Sequence, residues 1–361
     1  MGTFPVLDIE GALRDWGNSQ SGLVGPGKPL ALGFHTIQPR SPGRNCYATL
    51  DVTNGGDDLT AEGITQRSIV IEQREGVLSL LPSVPLGAPA TVGNREARSM
   101  RSFALPWIPH DDVILPADIQ GMPALGLSDA ADPLVEVMNR KLTLMRRKHA
   151  QTREYMEMNA LRGIVKDGAG TPLYNYFTEF GLAQISVDFV LGTAGTNVQG
   201  KVREVLRAIE DNLLGEAMTS VHALVSREFF DKLIAHPKTE EAYKFYASTG
   251  AQPLREDVRR NFPFGGILFE EYSGTVTLST KATERLVPAN EGIAFPLGTM
   301  DTFTTYGGPA NLLETANTIG LPLYARQHLD EKGRWIDVMT EASILPVNKR
   351  PRLAIRLHTS N

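Results

Sequence analysis

The sequence predicts an α+β fold built around one long helix and one long β-arm. Three observations carry that expectation. Residues 133 to 162 keep an apolar stripe at steps of three and four. Residues 66 to 109 place proline-bearing extended runs on either side of a polar, glycine-bearing tip. Beyond the helices that begin near residues 198, 227 and 237, helical periodicity gives way to short strands and turns.

Residues 1 to 60 are rich in Gly, Pro, Asn and Asp. "SQSGLVGPGKP" and "TNGGDD" are turn chemistry, and only "IEGALRDW" suggests a short helix. This beginning reads as an extended arm. From residue 66, "RSIVIEQREGVLSLLPSVPLG" holds two apolar runs split by Glu75-Gly76, a hairpin signal. "GAPATVGNREARSM" is then polar, and "RSFALPWIPHDDVILP" is apolar again. Pro82, Pro85, Pro89, Pro106 and Pro109 have no N–H to donate, which suits a two-stranded arm or a sheet edge. Such an arm buries little of its own surface and is expected to lie on a neighbouring subunit.

Asp132-Pro133 supplies an N-cap followed by proline at the first helical position. Leu134, Met138, Leu142, Met145, His149, Thr152, Met156 and Ala160 form the inward stripe. Glu136, Arg140, Thr143, Arg147, Gln151 and Glu154 are expected to face outward, and Gly163 to close the helix. At about 45 Å it would be a spine rather than a packing element of a small domain. "LYNYFTEFGLAQISVDFVLG" reads as aromatic-rich extended chain. Residues 198 to 213 place Val202, Val205, Leu206, Ile209 and Leu213 on one helical face. Residues 227 to 235 follow Ser226 as cap, and Pro237 opens a third helix. "FPFGGILFEEYSG" and "TVTLST" suggest a hairpin, and "RWIDVMTEASILPVNKRPRLAIRLHT" two strands.

Hydrophobic residues make up 42% and charged residues 21% of the 361, so the chain has the composition of a globular protein. The formal net charge of −5 lacks the basic excess of a nucleic-acid-gripping protein, though it suits one that surrounds DNA without holding it. Cys46 is the only cysteine, which excludes an intramolecular disulfide and a Cys-based zinc site. No apolar run reaches the ~18–20 residues of a membrane helix, so no membrane association is expected. Asp8, Glu10 and Asp15 interrupt any signal-peptide pattern, and synthesis and assembly in the cytosol are expected.

The stretch WIPHDD sets His110 beside Asp111 and Asp112, a combination that could serve a metal or acid–base site. Neighbouring residues of a strand point to opposite faces, so His110 and Asp111 cannot turn to one ion. No G-x-S-x-G elbow, G-x-G-x-x-G fingerprint or Walker motif occurs. Glu270 and Glu271 are adjacent on an expected strand and make a poor acid–base pair. No catalytic, cofactor-binding or metal-ligating residue is therefore assigned. Arg74, Arg95, Arg98 and Arg101 fit an arm that meets carboxylates of adjacent subunits, because the guanidinium fork binds carboxylate bidentately. Glu270 and Glu271 complete the candidates for inter-subunit contact.

From about residue 63 onward the chain resembles the phage-lambda-type, gene-E-like major capsid protein family. The similarity runs through "GITQRSIVIEQREGVLSLLPSVPLGAP", "RSFALPWIPHDDVILPADIQGM", "NRKLTLMRRKHAQTREYMEMNALRGIV", "FTEFG", "REFFDKLIAHPKTEEAYKFY", "FPFGGILFEEYSG" and "NTIGLPLYARQ", in that order. The resemblance implies the HK ninety-seven capsid fold: an N-arm, an extended E-loop, a peripheral domain carrying a spine helix, and an axial domain. On this chain it implies an N-terminal arm over 1–62 and an E-loop over 77–109. The peripheral domain would take 63–76 and 110–214 with the spine at 133–162. The axial domain would take 215–325, and 326–361 would return to the peripheral domain.

The resemblance also implies the function. The chain would be a self-assembling head subunit of a tailed bacteriophage, forming hexamers and pentamers of an icosahedral shell around double-stranded DNA. Scaffolding, portal and decoration proteins would be its partners, the host cytoplasm its place of assembly and the virion its destination. Some capsids of this fold weld an E-loop lysine to an asparagine of another subunit. Here no lysine lies between Lys28 and Lys141, so a non-covalent shell is expected. Two alternatives are an encapsulin-like bacterial compartment and, more remotely, a metal-dependent hydrolase using His110, Asp111 and Asp112.

Overall fold

The computed structural model describes residues 59–75, 97–120, 133–213, 216–247, 259, 261–299 and 302–361. The expected helix within "IEGALRDW", the arm tip and Arg95 lie outside these described residues.

The long helix runs Pro133–Leu161, 29 residues. Gly163 follows it with φ 84°, and its N–H donates to the Ala160 carbonyl at 2.9 Å. A Cβ at this glycine would stand 2.2 Å from the Phe177 ring, so both backbone and space demand glycine there. The expected inward stripe is buried at Met138, Met145, His149, Met156 and Ala160, while Glu136, Arg140, Thr143 and Arg147 are exposed. Towards its end the helix loses its outward face: every residue from 155 to 161 is buried. A helix covered all round needs core on both sides. Met156 and Ala160 pack with Ile69, Phe103, Tyr176 and Val347, and Tyr155, Met158 and Leu161 with Leu286, Phe295 and Phe303. Glu154, expected outward, is half-buried at the start of this covered stretch.

A six-stranded sheet holds, in spatial order, Ser186–Asp188, Ile355–His358, Glu291–Leu297, Ser220–Val225, Ile267–Glu271 and Phe262–Phe264. The helices Val198–Leu213 and Arg227–Ala235 share its largest core through Val202, Val205, Ile209, Phe229 and Phe230. Ser226 caps the second helix by accepting the Phe229 N–H at 3.3 Å. The helix Val198–Leu213 and the strand Ile355–His358 were expected in peripheral segments, yet both belong to this sheet's unit. The reason is burial: Leu353, Ile355 and Leu357 join the same core as Val187 and Val205.

Two three-stranded sheets complete the frame. In one, Phe303–Gly307 lies between Leu59–Gly63 and Ile344–Asn348. In the other, Ile336–Ala342 lies between Tyr324–Leu329 and Ile108–Ile114. The arm is a two-stranded ladder of Ser68–Glu75 against Ala97–Ala104, in register from Ser68↔Ala104 to Glu75↔Ala97.

Several sequence expectations are revised at this level. Among the described residues Ser68–Glu75 pairs with Ala97–Ala104; the run after Glu75-Gly76, expected to form a hairpin with it, lies outside them. The ladder starts at Ser68, before residue 77, and Ile108–Ile114 leaves it to pair with Ile336–Ala342. "FPFGGILFEE" is a hairpin by itself, turned by Gly265 and Gly266 at φ 62° and 95°, while Thr275–Thr277 pairs with Thr283–Arg285. Tyr176–Phe180 is helical because Asn175 accepts the N–H groups of Phe177 and Thr178 and Gly181 supplies the left-handed exit. The closing stretch contains three strands, Ile336–Ala342, Ile344–Asn348 and Ile355–His358.

Candidate assembly interface

The arm has two unlike faces because opposed residues of an antiparallel ladder share a face, which alternates along the strand. One face carries the register pairs Ile69↔Phe103 and Ile71↔Arg101. Ile69 and Phe103 are buried, and the Phe103 ring meets Tyr174 edge-on at 5.2 Å and Tyr176 at 5.9 Å. Tyr174 clamps the arm's end: its hydroxyl donates to the Ala104 carbonyl at 3.1 Å and accepts the Ala104 N–H at 3.0 Å. The Arg101 guanidinium lies 5.6 Å above the Phe180 ring. Arg101 is thus engaged with its own chain.

The other face carries Val70↔Ser102, Glu72↔Met100 and Arg74↔Arg98. Val70 is 63% and Met100 72% exposed. Apolar side chains on a narrow two-stranded arm find no cover among the described residues. The arm therefore anchors by one face and presents the other.

The carboxylate candidates sit differently. Glu270 and Glu271 close the strand Ile267–Glu271 in the six-stranded sheet. Glu271 lies 3.4 Å from Arg227 of its own chain and is well covered, and Glu270 also has a partner. Neither is presented to a neighbour as openly as the outer face of the arm.

WIPHDD falls on the edge strand Ile108–Ile114, whose alternation puts His110 and Asp112 towards the spine helix and Asp111 outward. Lys148 donates to His110 Nε2 at 2.9 Å, and Lys141 binds Asp112 at 3.1 Å. Burial and the Lys148 charge lower the His110 pKa, and the Lys141 hydrogen bond lowers that of Asp112. Beneath them, Thr340 donates to the His110 carbonyl at 2.8 Å, so its hydroxyl accepts from the His149 ring at 3.0 Å. Burial pushes His149 down to about 4, which keeps it neutral. The strand is pinned to the spine by lysines, and among the described residues no group of His, Cys, Asp and Glu is arranged to hold a metal ion.

The spine carries one cluster that sequence reading did not single out. Tyr272 donates to Glu154 at 2.5 Å; Arg153 and Thr305 donate to Glu157 at 2.7 and 3.0 Å. Tyr272 follows a strand of the six-stranded sheet, whereas Thr305 belongs to a three-stranded one. The half-buried Glu154 and the buried Glu157, on one helix, thereby join two sheets. Burial raises the pKa of both, with Tyr272 opposing the shift at Glu154, which still reaches about 7. The stretch "REYMEMNAL" mixes Arg153, Glu154, Glu157 and Asn159 with its apolar residues, so its cover on every side is not legible in the sequence.

The chain is similar over most of its length to known shell proteins. The family described as phage major capsid protein E matches residues 57–359. The major capsid protein of Pseudomonas phage KPP10 is 35% identical over 311 residues, 81% of this chain and 87% of that protein. The major capsid protein of Salmonella phage Felix O1 is 26% identical over 320 residues, with the same coverages. Among solved structures, a chain of the bacteriophage PhiM1 mature capsid superposes with a TM-score of 0.51 at 12% identity, covering 92% of this chain and 93% of that one. An arm anchored by one face, a spine joining sheets and this extent of likeness lead to one conclusion: the chain belongs to the phage major capsid protein E family, as a shell subunit of a tailed-phage head.

Proposed function

We propose that copies of this chain close into hexamers and pentamers of an icosahedral wall, each arm lying on the next copy. The observation that carries this reading is the arm's outer face, with Val70 and Met100 exposed on a ladder that its own chain anchors from one side. In this reading the six-stranded unit is the axial domain. It takes residues 186–213 and 355–358 in addition to those expected from sequence. The spine and the two three-stranded sheets form the peripheral domain. The wall encloses double-stranded DNA without gripping a particular sequence, in keeping with a formal net charge of −5. Scaffolding, portal and decoration proteins act beside it, and assembly proceeds in the host cytoplasm. Deleting residues 87 to 98 should leave a folded subunit that no longer builds shells, as judged by sedimentation and electron micrographs. Shells at normal yield from that variant would refute the reading.

The wall is held without covalent welds. Asn348, the asparagine next to Lys349, is fully buried, and its side-chain oxygen accepts the Arg350 N–H at 3.1 Å. Its side chain is enclosed within the fold, and no lysine lies between Lys28 and Lys141 to reach it from the arm. Mature particles boiled in detergent should run as one monomer band; a ladder at multiples of the chain mass would overturn this.

A further inference from the structure

The edge strand Ile108–Ile114 is fastened to the spine at two points that answer differently to protons. Towards its far end, Lys141 binds Asp112 at 3.1 Å and Asp118 at 3.5 Å, and donates to the Val113 carbonyl at 2.5 Å. Towards the arm, Lys148 donates to His110 Nε2 at 2.9 Å. An ammonium group has three hydrogens and no lone pair, so the imidazole must supply the lone pair at Nε2. His110 is therefore neutral in this arrangement, with its hydrogen on Nδ1. A proton at Nε2 would set N–H against N–H and charge against charge. Proton binding and Lys148 binding exclude each other at this one nitrogen.

The groups around His110 set the direction. From the spine, Lys148 and His149 face it, and Lys141 faces the neighbouring Asp112. The strand Ile336–Ala342 opposes it with Thr340, while Asp337 and Glu341 stand on the other face, with Asp111. Burial lowers the His110 pKa most and Lys148 lowers it further; Asp112 and Asp111 oppose without reversing the shift. The contribution of neutral His110 is thus complete above the ordinary value of 6.5 and is lost as pH falls through the lower folded value. The other fastening outlasts it. Burial would raise the Asp112 pKa, but the hydrogen bonds from Lys141 and Val113 outweigh it and leave the carboxyl below its usual range.

We propose that His110 and Lys148 form an acid-released latch between this edge strand and the spine, with Lys141 and Asp112 as the end that stays shut. The strand has a ladder on one side only, to Ile336–Ala342, so the spine is what binds its other side. Once Lys148 lets go, the end at His110 frays from the ladder while the end at Asp112 holds. Only Leu105, Pro106 and Trp107 separate this strand from the arm ladder, so the release falls at the root of the arm. The latch is independent of what the arm's outer face meets.

Hydrogen exchange of the full chain, read residue by residue and corrected for intrinsic rates, tests this between about pH 8 and pH 5. Across that range the amides around His110 should lose protection by about tenfold, and those beside Lys141 should change far less. His110→Gln offers Lys148 an oxygen that does not titrate, so protection should stay high at both ends of the range. Lys148→Met, at an exposed position, should keep the fold but leave protection low throughout. It should also raise the pH at which the His110 ring signals titrate in NMR spectra, which a purely structural lysine would not do. His222 and Glu154 also have shifted pKa values, but all three chains keep them, so the comparison with His110→Gln removes their share. Unchanged protection in the parent chain, an equal acid loss in His110→Gln, or an unmoved His110 titration in Lys148→Met would each overturn the proposal.

Discussion

In the six-stranded unit, Phe229, Phe230, Val205 and Ile355 all find cover inside the chain, whereas on the arm Val70 and Met100 find none among the described residues. The two regions use the same kinds of side chain for different ends. The sheet with its two helices is a core that stabilises itself. The arm is anchored at Phe103 and Tyr174 and awaits a second molecule for its other face. Subunit stability and shell formation should therefore respond to different residues.

The strongest way to break that contrast is a matched pair of truncations. Phe229→Ala should cost the unassembled subunit about 3–5 kcal/mol, because the ring is fully buried in the largest core. Met100→Ala should leave subunit stability within about 0.5 kcal/mol, because the side chain is exposed, yet depress shell yield. Chemical denaturation of both variants checks this; equal losses would erase the distinction.

A second test lies at the spine. The Glu154 carboxyl has a folded pKa of about 7 against 4.5 ordinarily, raised first by burial and further by Glu157, with the Tyr272 hydrogen bond opposing. The folded state thus favours the protonated form. Its contribution to stability is complete below pH 4.5 and is lost as pH rises through about 7, a change on the order of 3 kcal/mol. Glu154→Gln should flatten that part of the pH dependence, leaving whatever slope the buried Glu157 supplies. An unchanged slope in pH-dependent melting would show that this carboxyl does not link to folding. The smallest effect is local: Ser226→Ala removes the cap of Arg227–Ala235 and should cost about 1 kcal/mol without altering assembly, measured as a shift in denaturation midpoint.

The parts legible in the sequence were those whose physics is local. The spine announced itself because its stripe and its closing Gly163 lie within one stretch of chain, and Ser226 marked its helix for the same reason. The extended, proline-bearing arm was legible as a shape. Its partner strand was not, because Glu75-Gly76 offers a turn beside the strand while the ladder joins Ser68–Glu75 to Ala97–Ala104, far along the chain. Tyr176–Phe180 was missed because aromatic residues suit strands, and the short helix depends on one asparagine and one glycine. Glu154 was placed outward because periodicity assumes one buried face, and this stretch of spine has two cores around it. For the candidate interface, the arginine-bearing arm was visible in composition. The exposure of Val70 and Met100 was not, since an apolar residue in a sequence gives no sign that folding will leave it outside.

The position of Ile355–His358 sets a timetable. This strand is parallel to Ser186–Asp188 on one side and antiparallel to Glu291–Leu297 on the other, so it fills a seam inside the sheet rather than extending an edge. A ribosome makes both neighbours long before it makes the strand that joins them. Until then each neighbour offers an open edge towards the gap, and Val187 lacks the cover of Leu357. Closing the seam and finishing the sheet are one event, which follows the synthesis of both neighbours. A nascent chain that has not reached Ile355–His358 therefore lacks the strand that joins Ser186–Asp188 to the rest of this sheet.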